Sequence, residues 1–433
     1  MATQERAVSA TVSEHIATVV TVRWSTPEPT VGYVQYGKTR AMEMKTPLET
    51  TPTTEHEMLL LGLVSDSEYF FRVITWNGAA GASAIQTVTT GPLPIGLPSL
   101  KRTGSGNTDY NIVPILGMKT AVTILDPDGE IVWYHTDERA LDFYRARLAL
   151  DGKSVLYNAA KISGAPSADS ELVRVSLDGS TTSSVKVPFL AHDFVEHPDG
   201  TLAALAVEFR EFEGAPLRGD KIVEVTPDGT QRTVWSAWNC FDPAVAKSDN
   251  SLQGWTFANA LDFDPVRDVY YVGMRNFSSI ARVNRATGAC DWVLGTTAST
   301  FTFAPGSARF LHQHQFQVRA NPTPGKGDLI LIMDNDGSPG DESRVLEYEL
   351  DTTTRVATQT WSYASEPTVY TFVLGEPIRH PDGSVFINWS AAGQMERLDR
   401  DGNSTWKLNT GAGTIFGFNT VANSLYPPDA RMP

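Results

Sequence analysis

The chain has 433 residues, 41% hydrophobic and 20% charged, enough for two or three domains with full cores and unlike a disordered or membrane-spanning chain. Its formal charge of -15 at pH 7, with Lys and Arg scattered, argues against the basic face that nucleic acid or anionic lipid requires. An anionic substrate would therefore need a local positive site. The opening stretch MATQERAVSATVSEHIATVV has no charged segment followed by an apolar run, so no signal peptide is expected in the sequence as it stands. The compartment stays open: secreted or periplasmic if a leader has been removed, otherwise cytoplasmic. Cys240 and Cys290 are too few for a disulfide framework or a thiolate metal cage. Asn276, Asn388 and Asn403 begin Asn-x-Ser/Thr triplets, which matter only in a eukaryotic secretory route.

Residues 1–92 alternate apolar and polar side chains in short runs, TVVTVRW, VGYVQYG, YFFRVITW and AIQTVTT, with turn residues every eight to twelve positions. This predicts a small β-sandwich. Trp24 on an early strand, followed by LVSDSEYFFRVITWNGAAGAS, resembles fibronectin type III modules, and the expected role is packing or positioning. Residues 93–108, rich in Gly, Pro and Ser, read as a linker.

From 109 to 433 one pattern recurs: a strand, a turn with Asp and usually Gly, then a strand usually bearing Trp. The six instances are TILDPDGEIVWYH, VRVSLDGSTTSSVKV, VEVTPDGTQRTVWSA, ARVNRATGACDWVLG, LEYELDTTTRVATQTWSY and ERLDRDGNSTWKL, spaced as blades of a propeller. The apolar runs between them, GKSVLYN, GTLAALAVEF, DVYYVGMRN, GDLILIMDND and GSVFINW, are expected to be inner strands. No long stretch has helical periodicity, which argues against a parallel α/β fold. The predicted fold is all-β: a fibronectin III-like β-sandwich followed by a six-bladed β-propeller with an axial site.

Laid over one another by their turns, AHDFVEHPDG, YRARLALDG and LGEPIRHPDG put His192, Tyr144 and Gly375 at one equivalent place, the entry to an inner strand. FANALDFDP adds Phe257 and Asn259; HQHQFQV adds His312 and His314. Strand alternation predicts that His312 and His314 share a face, as do Phe257 and Asn259. Arg275, ending VYYVGMRN, points toward the same region or makes a structural pair. Catalytic candidates are thus His192, His312, His314 and Arg275; substrate-binding candidates are Tyr144, Phe257, Asn259 and Asn335, the last near the end of GDLILIMDND.

Each has a plainer reading. A lone histidine beside an apolar strand is usually a satisfied core residue, and His197 and His380 precede Pro-Asp-Gly turns, where a structural or solvated role is expected. Three histidines also suit zinc, though Arg275 would repel it. Asp334 and Asp336 hint at calcium, but the spacing lacks the further ligands of an EF-hand loop and reads better as a hairpin turn. No metal site is predicted.

The segments LAHDFVEHPDG, then WTFANALDFDPVRDVYYVGMRNFSSIARVNRATGACDWVLG, then HQHQF with DLILIMDNDGSPGDESRVLEYELD, resemble in order and spacing the bacterial arylsulfate sulfotransferase family. The resemblance implies an N-terminal β-sandwich and a six-bladed propeller moving a sulfuryl group between phenols through a sulfated histidine, with no nucleotide donor or other cofactor. It implies His314 as the nucleophile, with His312 as fallback, and contacts from His192, Asn259 and Arg275 to the sulfuryl group or phenolic oxygen. The implied partner is a small aromatic molecule, neither nucleic acid nor membrane, with the oligomeric state open. Phe257 stands where the family pattern has histidine, and Cys240 and Cys290 do not reproduce a closely spaced cysteine pair seen in some members. Two other readings stay open: a hydrolase, lyase or isomerase for an aromatic or lactone-like ligand, metal-dependent or not, and a non-catalytic ligand-binding propeller.

Overall fold

A computed structural model describes residues 8–427, other than 118, 138, 140, 141, 162–164, 249–253, 336–341 and 412. The N-terminal part is built around the strand Val20–Gly37, which serves two sheets. Its first half pairs with Ser9–Val12 and Thr53–Leu60, its second half with Met44–Lys45 and Glu68–Trp76. The pairing with Thr53–Leu60 breaks between Ser25 and Thr30, where Pro27 and Pro29 remove backbone donors and let the strand change sheets. Val20, Val22, Trp24, Val34, Tyr36, Phe71 and Val73 alternate inward to form the core. The fibronectin likeness rests on sequence alone.

Six further sheets of four or five strands follow in chain order, the blades of a six-bladed propeller. Blade 1 holds Tyr110–Leu116, Ala121–Leu125 and Ile131–His135, and its innermost pieces come from the far end of the chain, Ile415–Phe416 and Thr420–Ala422. Thus the last residues close the ring on the first blade. Within the stretch read as a linker, Lys101–Gly104 pairs with Ser404–Asn409 and adds a fifth strand to blade 6.

The strands lining the axis in blades 2 to 6 are Asp142–Leu148, Leu190–Glu196, Ala258–Asp264, Phe316–Arg319 and Glu376–Arg379. The apolar runs expected to be inner strands are the second strands of their blades: GKSVLYN, for instance, falls in Ser154–Ala160. A second strand is covered on both faces and reads as continuously apolar, whereas the innermost strand borders a polar channel and carries charge. Every residue of Ser154–Ala160 is buried.

Cys240 and Cys290 form a disulfide across 50 residues, tying the segment after blade 3 to the outer strand of blade 4. Closing a loop of that length restricts the unfolded chain by about 4 kcal/mol in the chain-entropy account. The sandwich is docked on the propeller: Ala17 N–H donates to Tyr134 Oη at 2.9 Å, and Leu61 N–H donates to Tyr426 Oη at 2.9 Å. Ile16, Val19 and Leu61 share one apolar cluster with blade 1 residues. Asn276 and Asn388 are fully buried and closed to a glycan, while Asn403 bonds Asp399 in an exposed turn. Among the described residues no helix is long and apolar enough to cross a membrane.

Candidate active site

The entries to the inner strands are bulged. Pairing breaks between Phe143 and Ala146, between Leu190 and Phe194, and between Ala258 and Ala260, as bulges do beside functional sites. Asn158, on the second strand of blade 2, clamps two of these bulges together. Its Oδ1 accepts from Tyr144 N at 3.1 Å and Arg145 N at 2.8 Å, while its Nδ2 donates to the carbonyls of Ala191 at 3.0 Å and His192 at 2.9 Å. Tyr144 and His192 are thereby set on neighbouring blades with ring centroids 5.9 Å apart. Phe257 meets His192 in a T-shaped contact, with ring centroids 4.9 Å apart and an interplanar angle of 83°. Phe257 is at φ 47, a left-handed conformation rare for a bulky side chain, held by Arg275 N–H donating to its carbonyl at 3.1 Å.

His314 lies in the segment before the inner strand of blade 5, fully enclosed. Its Nδ1 is 2.9 Å from Asn335 Oδ1. Asn335 Nδ2 is spent on the carbonyls of Thr371 at 2.6 Å and Leu374 at 3.1 Å, so its oxygen must face the imidazole. An amide oxygen can only accept, so Nδ1 carries the proton and Nε2 keeps its lone pair. Asn335 therefore fixes the tautomer of His314.

The expected shared face of His312 and His314 does not follow from strand alternation, because residues 311–315 are not in a strand and His312 sits at φ 50. His312 is anchored through its backbone, its N–H donating to Ser278 Oγ at 3.1 Å. The same reasoning fails for Phe257 and Asn259, which straddle the blade 4 bulge. Asn259 Nδ2 donates to the carbonyl of Gln313 at 2.7 Å, and Gln313 Nε2 donates to the carbonyls of Met274 at 3.2 Å and Ser279 at 2.9 Å. Asn259 thus holds the segment carrying His312 and His314, and its buried Oδ1 has no hydrogen-bond partner.

Two cations act on the imidazoles. Burial, then Arg218, then more weakly Arg275, push His192 down to about 3, and its buried Nδ1 has no hydrogen-bond partner among the described residues. Burial and then Arg275 hold His314 well below the usual imidazole range. Both rings are neutral at pH 7. Arg275 opens the short 3-10 turn Arg275–Phe277 after blade 4's second strand, with Nη1 donating to Asn276 Oδ1 at 3.3 Å. Among the described residues no three His, Cys, Asp or Glu side chains are grouped to hold a metal ion.

The sequence profile of the family described as Arylsulfotransferase (ASST) matches residues 112–411, well over half of the chain and nearly the whole propeller. The chain belongs to the arylsulfotransferase family. No curated protein matches it by sequence. Similar solved structures include a protein of unknown function from Bacteroides caccae at 12% identity and TM-score 0.46, covering 72% of this chain and 98% of that one. Others are a streptogramin B lyase at 12% identity and TM-score 0.41, covering 72% and 98%, and a putative 6-phosphogluconolactonase from Bacteroides uniformis at 8% identity and TM-score 0.40, covering 70% and 84%. Likeness at that level transfers neither reaction nor substrate.

Beneath the two imidazoles this arylsulfotransferase-family propeller has a charged floor. One residue beyond Tyr144, His192 and Gly375 stand Arg145, Asp193 and Glu376. Arg145 Nε donates to Asp193 Oδ1 at 2.8 Å, and its Nη1 donates to Glu376 Oε2 at 2.7 Å and to the Asn419 carbonyl at 2.9 Å. Asp193 also accepts from Gln315 Nε2 at 2.6 Å and Leu261 N at 2.9 Å. Strands from blades 2, 3, 4, 5 and 6 are thus joined across the axis by one network. Further along the same strands opens a cavity of about 550 Å³, lined by Arg147, Asp262 and Gln317 among others and containing none of the histidines.

The remaining sequence candidates are structural. His197 stacks on Phe263 at 3.9 Å with Nε2 2.9 Å from Tyr270 Oη, and His380 meets Arg397 at 2.9 Å. Asp334 accepts from Arg344 Nε at 2.8 Å and Leu311 N at 2.8 Å; Asp336 lies outside the described residues. Sequence reading overlooked Asn158, Arg218 and the Arg145–Asp193–Glu376 floor. The floor had a signal: the blade alignment that yields His192 carries charged residues one position on.

Proposed function

We propose that the protein transfers a sulfuryl group from an aryl sulfate to a phenol by way of an N-sulfated His314. The observation that carries this reading is the Asn335 contact, which puts the proton on Nδ1 of a ring that burial and Arg275 hold neutral, leaving the lone pair on Nε2. That lone pair attacks sulfur, the S–O bond to the aryl group breaks, and its electron pair departs with the phenolate. The positive charge on the sulfated ring is shared with Asn335 Oδ1 through the Nδ1 proton. Arg275 offers charge to the sulfuryl oxygens as the bond loosens.

In the second half an acceptor phenol attacks sulfur, the N–S bond breaks, and its pair returns to Nε2. His192, held neutral, would accept a hydrogen bond from the phenolic O–H, and the proton passes to solvent. A ring pushed down to about 3 holds no proton at pH 7 for the leaving phenolate, which departs as the anion. Donors with acidic phenol leaving groups are therefore favoured. Two cations facing the imidazoles disfavour a metal-dependent alternative, since both would repel a metal ion.

Incubation with 4-nitrophenyl sulfate alone, followed by intact-mass measurement, tests the reading. One added sulfuryl group, lost on adding phenol and absent in His314→Ala, is expected. A protein that turns over 4-nitrophenyl sulfate with no adduct in rapid-quench samples would overturn the covalent route.

A further inference from the structure

Arg218 is a cation without a hydrogen-bond or ion-pair partner among the described residues. It lies in the strand Ala215–Val225 of blade 3, within the long hairpin that rises above the inner strands. Its guanidinium makes no hydrogen bond or ion pair among the described residues, and its Nε is buried with no acceptor. Asp220, whose charge acts on Arg218, has Oδ2 occupied by Thr256 Oγ1 at 2.5 Å and Ala258 N at 2.7 Å. Leaving a guanidinium partly buried and unpaired is costly, which points to an anion supplied from outside.

Its position says which anion. Arg218 Cζ lies 5.8 Å from the Phe257 ring centroid, and the Phe257 ring meets His192 edge-on at 4.9 Å. The Tyr144 and His192 ring centroids are 5.9 Å apart. A sulfuryl group transferred through His314 must sit at that ring, where Arg275 is the cation that acts on it. Arg218 acts on His192 more strongly than Arg275 does, and it lies over the Phe257 ring. The aromatic wall is where an aryl ring would rest, and Arg218 is at its edge.

We propose that Arg218 recognises an acidic substituent on the aryl group, so that the phenols used here are phenolic carboxylates. This rests on the sulfuryl-transfer reading for the role of the phenol, but the charge recognition itself does not require turnover. A carboxylate on the ring would give Arg218 the partner it lacks, with Phe257 and Tyr144 bounding the ring and the phenolic oxygen directed toward His192. Neutral phenols would leave the guanidinium unpaired in the complex and bind more weakly.

Calorimetric titration with 4-hydroxybenzoate and 4-hydroxyphenylacetate, each against its neutral amide, decides the matter. The native protein should bind at least one acid roughly tenfold or more tightly than its amide, the usual gain from a charged hydrogen bond. Arg218→Met should remove that preference and Arg218→Lys should keep part of it, both checked for folding by thermal melting. Equal affinity for acid and amide, a preference that survives Arg218→Met, or no binding of either acid at millimolar concentration would overturn the proposal. The adduct from 4-nitrophenyl sulfate, measured on the native protein, separates the two ideas. An adduct without charge preference removes this inference alone; a charge preference without an adduct removes sulfuryl transfer alone.

Discussion

Asn335 Oδ1 lies 2.9 Å from His314 Nδ1, and the amide that presents it is locked by two backbone carbonyls of the next blade. The contact converts blade packing into a defined imidazole tautomer. Removing it in Asn335→Ala frees the ring to carry its proton on either nitrogen. The rate of adduct formation should fall by about tenfold to a hundredfold, the usual cost of losing a partner that orients a functional imidazole. Asn335→Asp keeps an acceptor and should retain adduct formation while raising the His314 pKa, read by NMR titration of the ring. Unchanged adduct kinetics in Asn335→Ala would remove the tautomer from the mechanism.

The depressed histidines also mark stability. His192 titrates at about 3 in the folded protein and near the ordinary imidazole value, roughly 6.5, when unfolded. Between those values the unfolded chain binds the extra proton, so stability is full above about pH 6.5 and is lost as pH falls below it. The slope is up to about 1.4 kcal/mol per pH unit for one such group. Asp126 and Asp262, raised to about 6 chiefly by burial, work in the opposite direction at lower pH, so the informative quantity is a difference. Urea unfolding at pH 7.5 and pH 5.5 should show a smaller loss for His192→Gln than for the native protein. Identical losses would show that His192 does not stay neutral on folding.

Arg145 and Asp193 have fully buried side chains and form the hub of the axial floor. Breaking a buried pair from one side leaves an unpaired charge and typically costs about 3–5 kcal/mol. Arg145→Met should be destabilised by that order at pH 7 and recover part of it near pH 5. Asp193 and Glu376 can then take a proton that the guanidinium made unnecessary. Equilibrium denaturation at the two pH values checks this. A variant no less stable than the native protein would mean that the floor contributes nothing net.

Much of the fold was readable because blade hairpins advertise their turns. Asp126, for example, accepts from both Asp128 N and Glu130 N at 2.9 Å, a local device that needs the Asp-Pro-Asp-Gly sequence whatever surrounds it. His192 stands out as a candidate because it lies just before such a turn. What failed depended on non-local geometry. Bulges and left-handed residues at Phe257 and His312 cancel the two-residue periodicity on which side-chain direction was argued. Arg218 is invisible for another reason: it reaches Phe257 from the third strand of a different blade, a proximity set by hairpin height.

Phe257 is the departure from the family pattern that the structure makes testable. A histidine tolerates the left-handed backbone at φ 47 better than phenylalanine does, so Phe257→His has no backbone obstacle. It would lose part of the packing of a buried ring against His192 and the Arg218 guanidinium, a cost of about 1–3 kcal/mol. With Arg218 beside it the new imidazole would stay neutral and act as an N–H donor toward developing negative charge, not as a cation. Transfer from 4-nitrophenyl sulfate to phenol should rise by about a hundredfold to a thousandfold, the range for one well-placed hydrogen-bond donor. Affinity for the aryl ring should fall as its apolar wall is lost, so the gain should appear in turnover at saturating phenol. A variant that melts as a folded protein yet transfers no faster would assign Phe257 to binding the acceptor ring and leave the reaction to His192, Arg275 and His314.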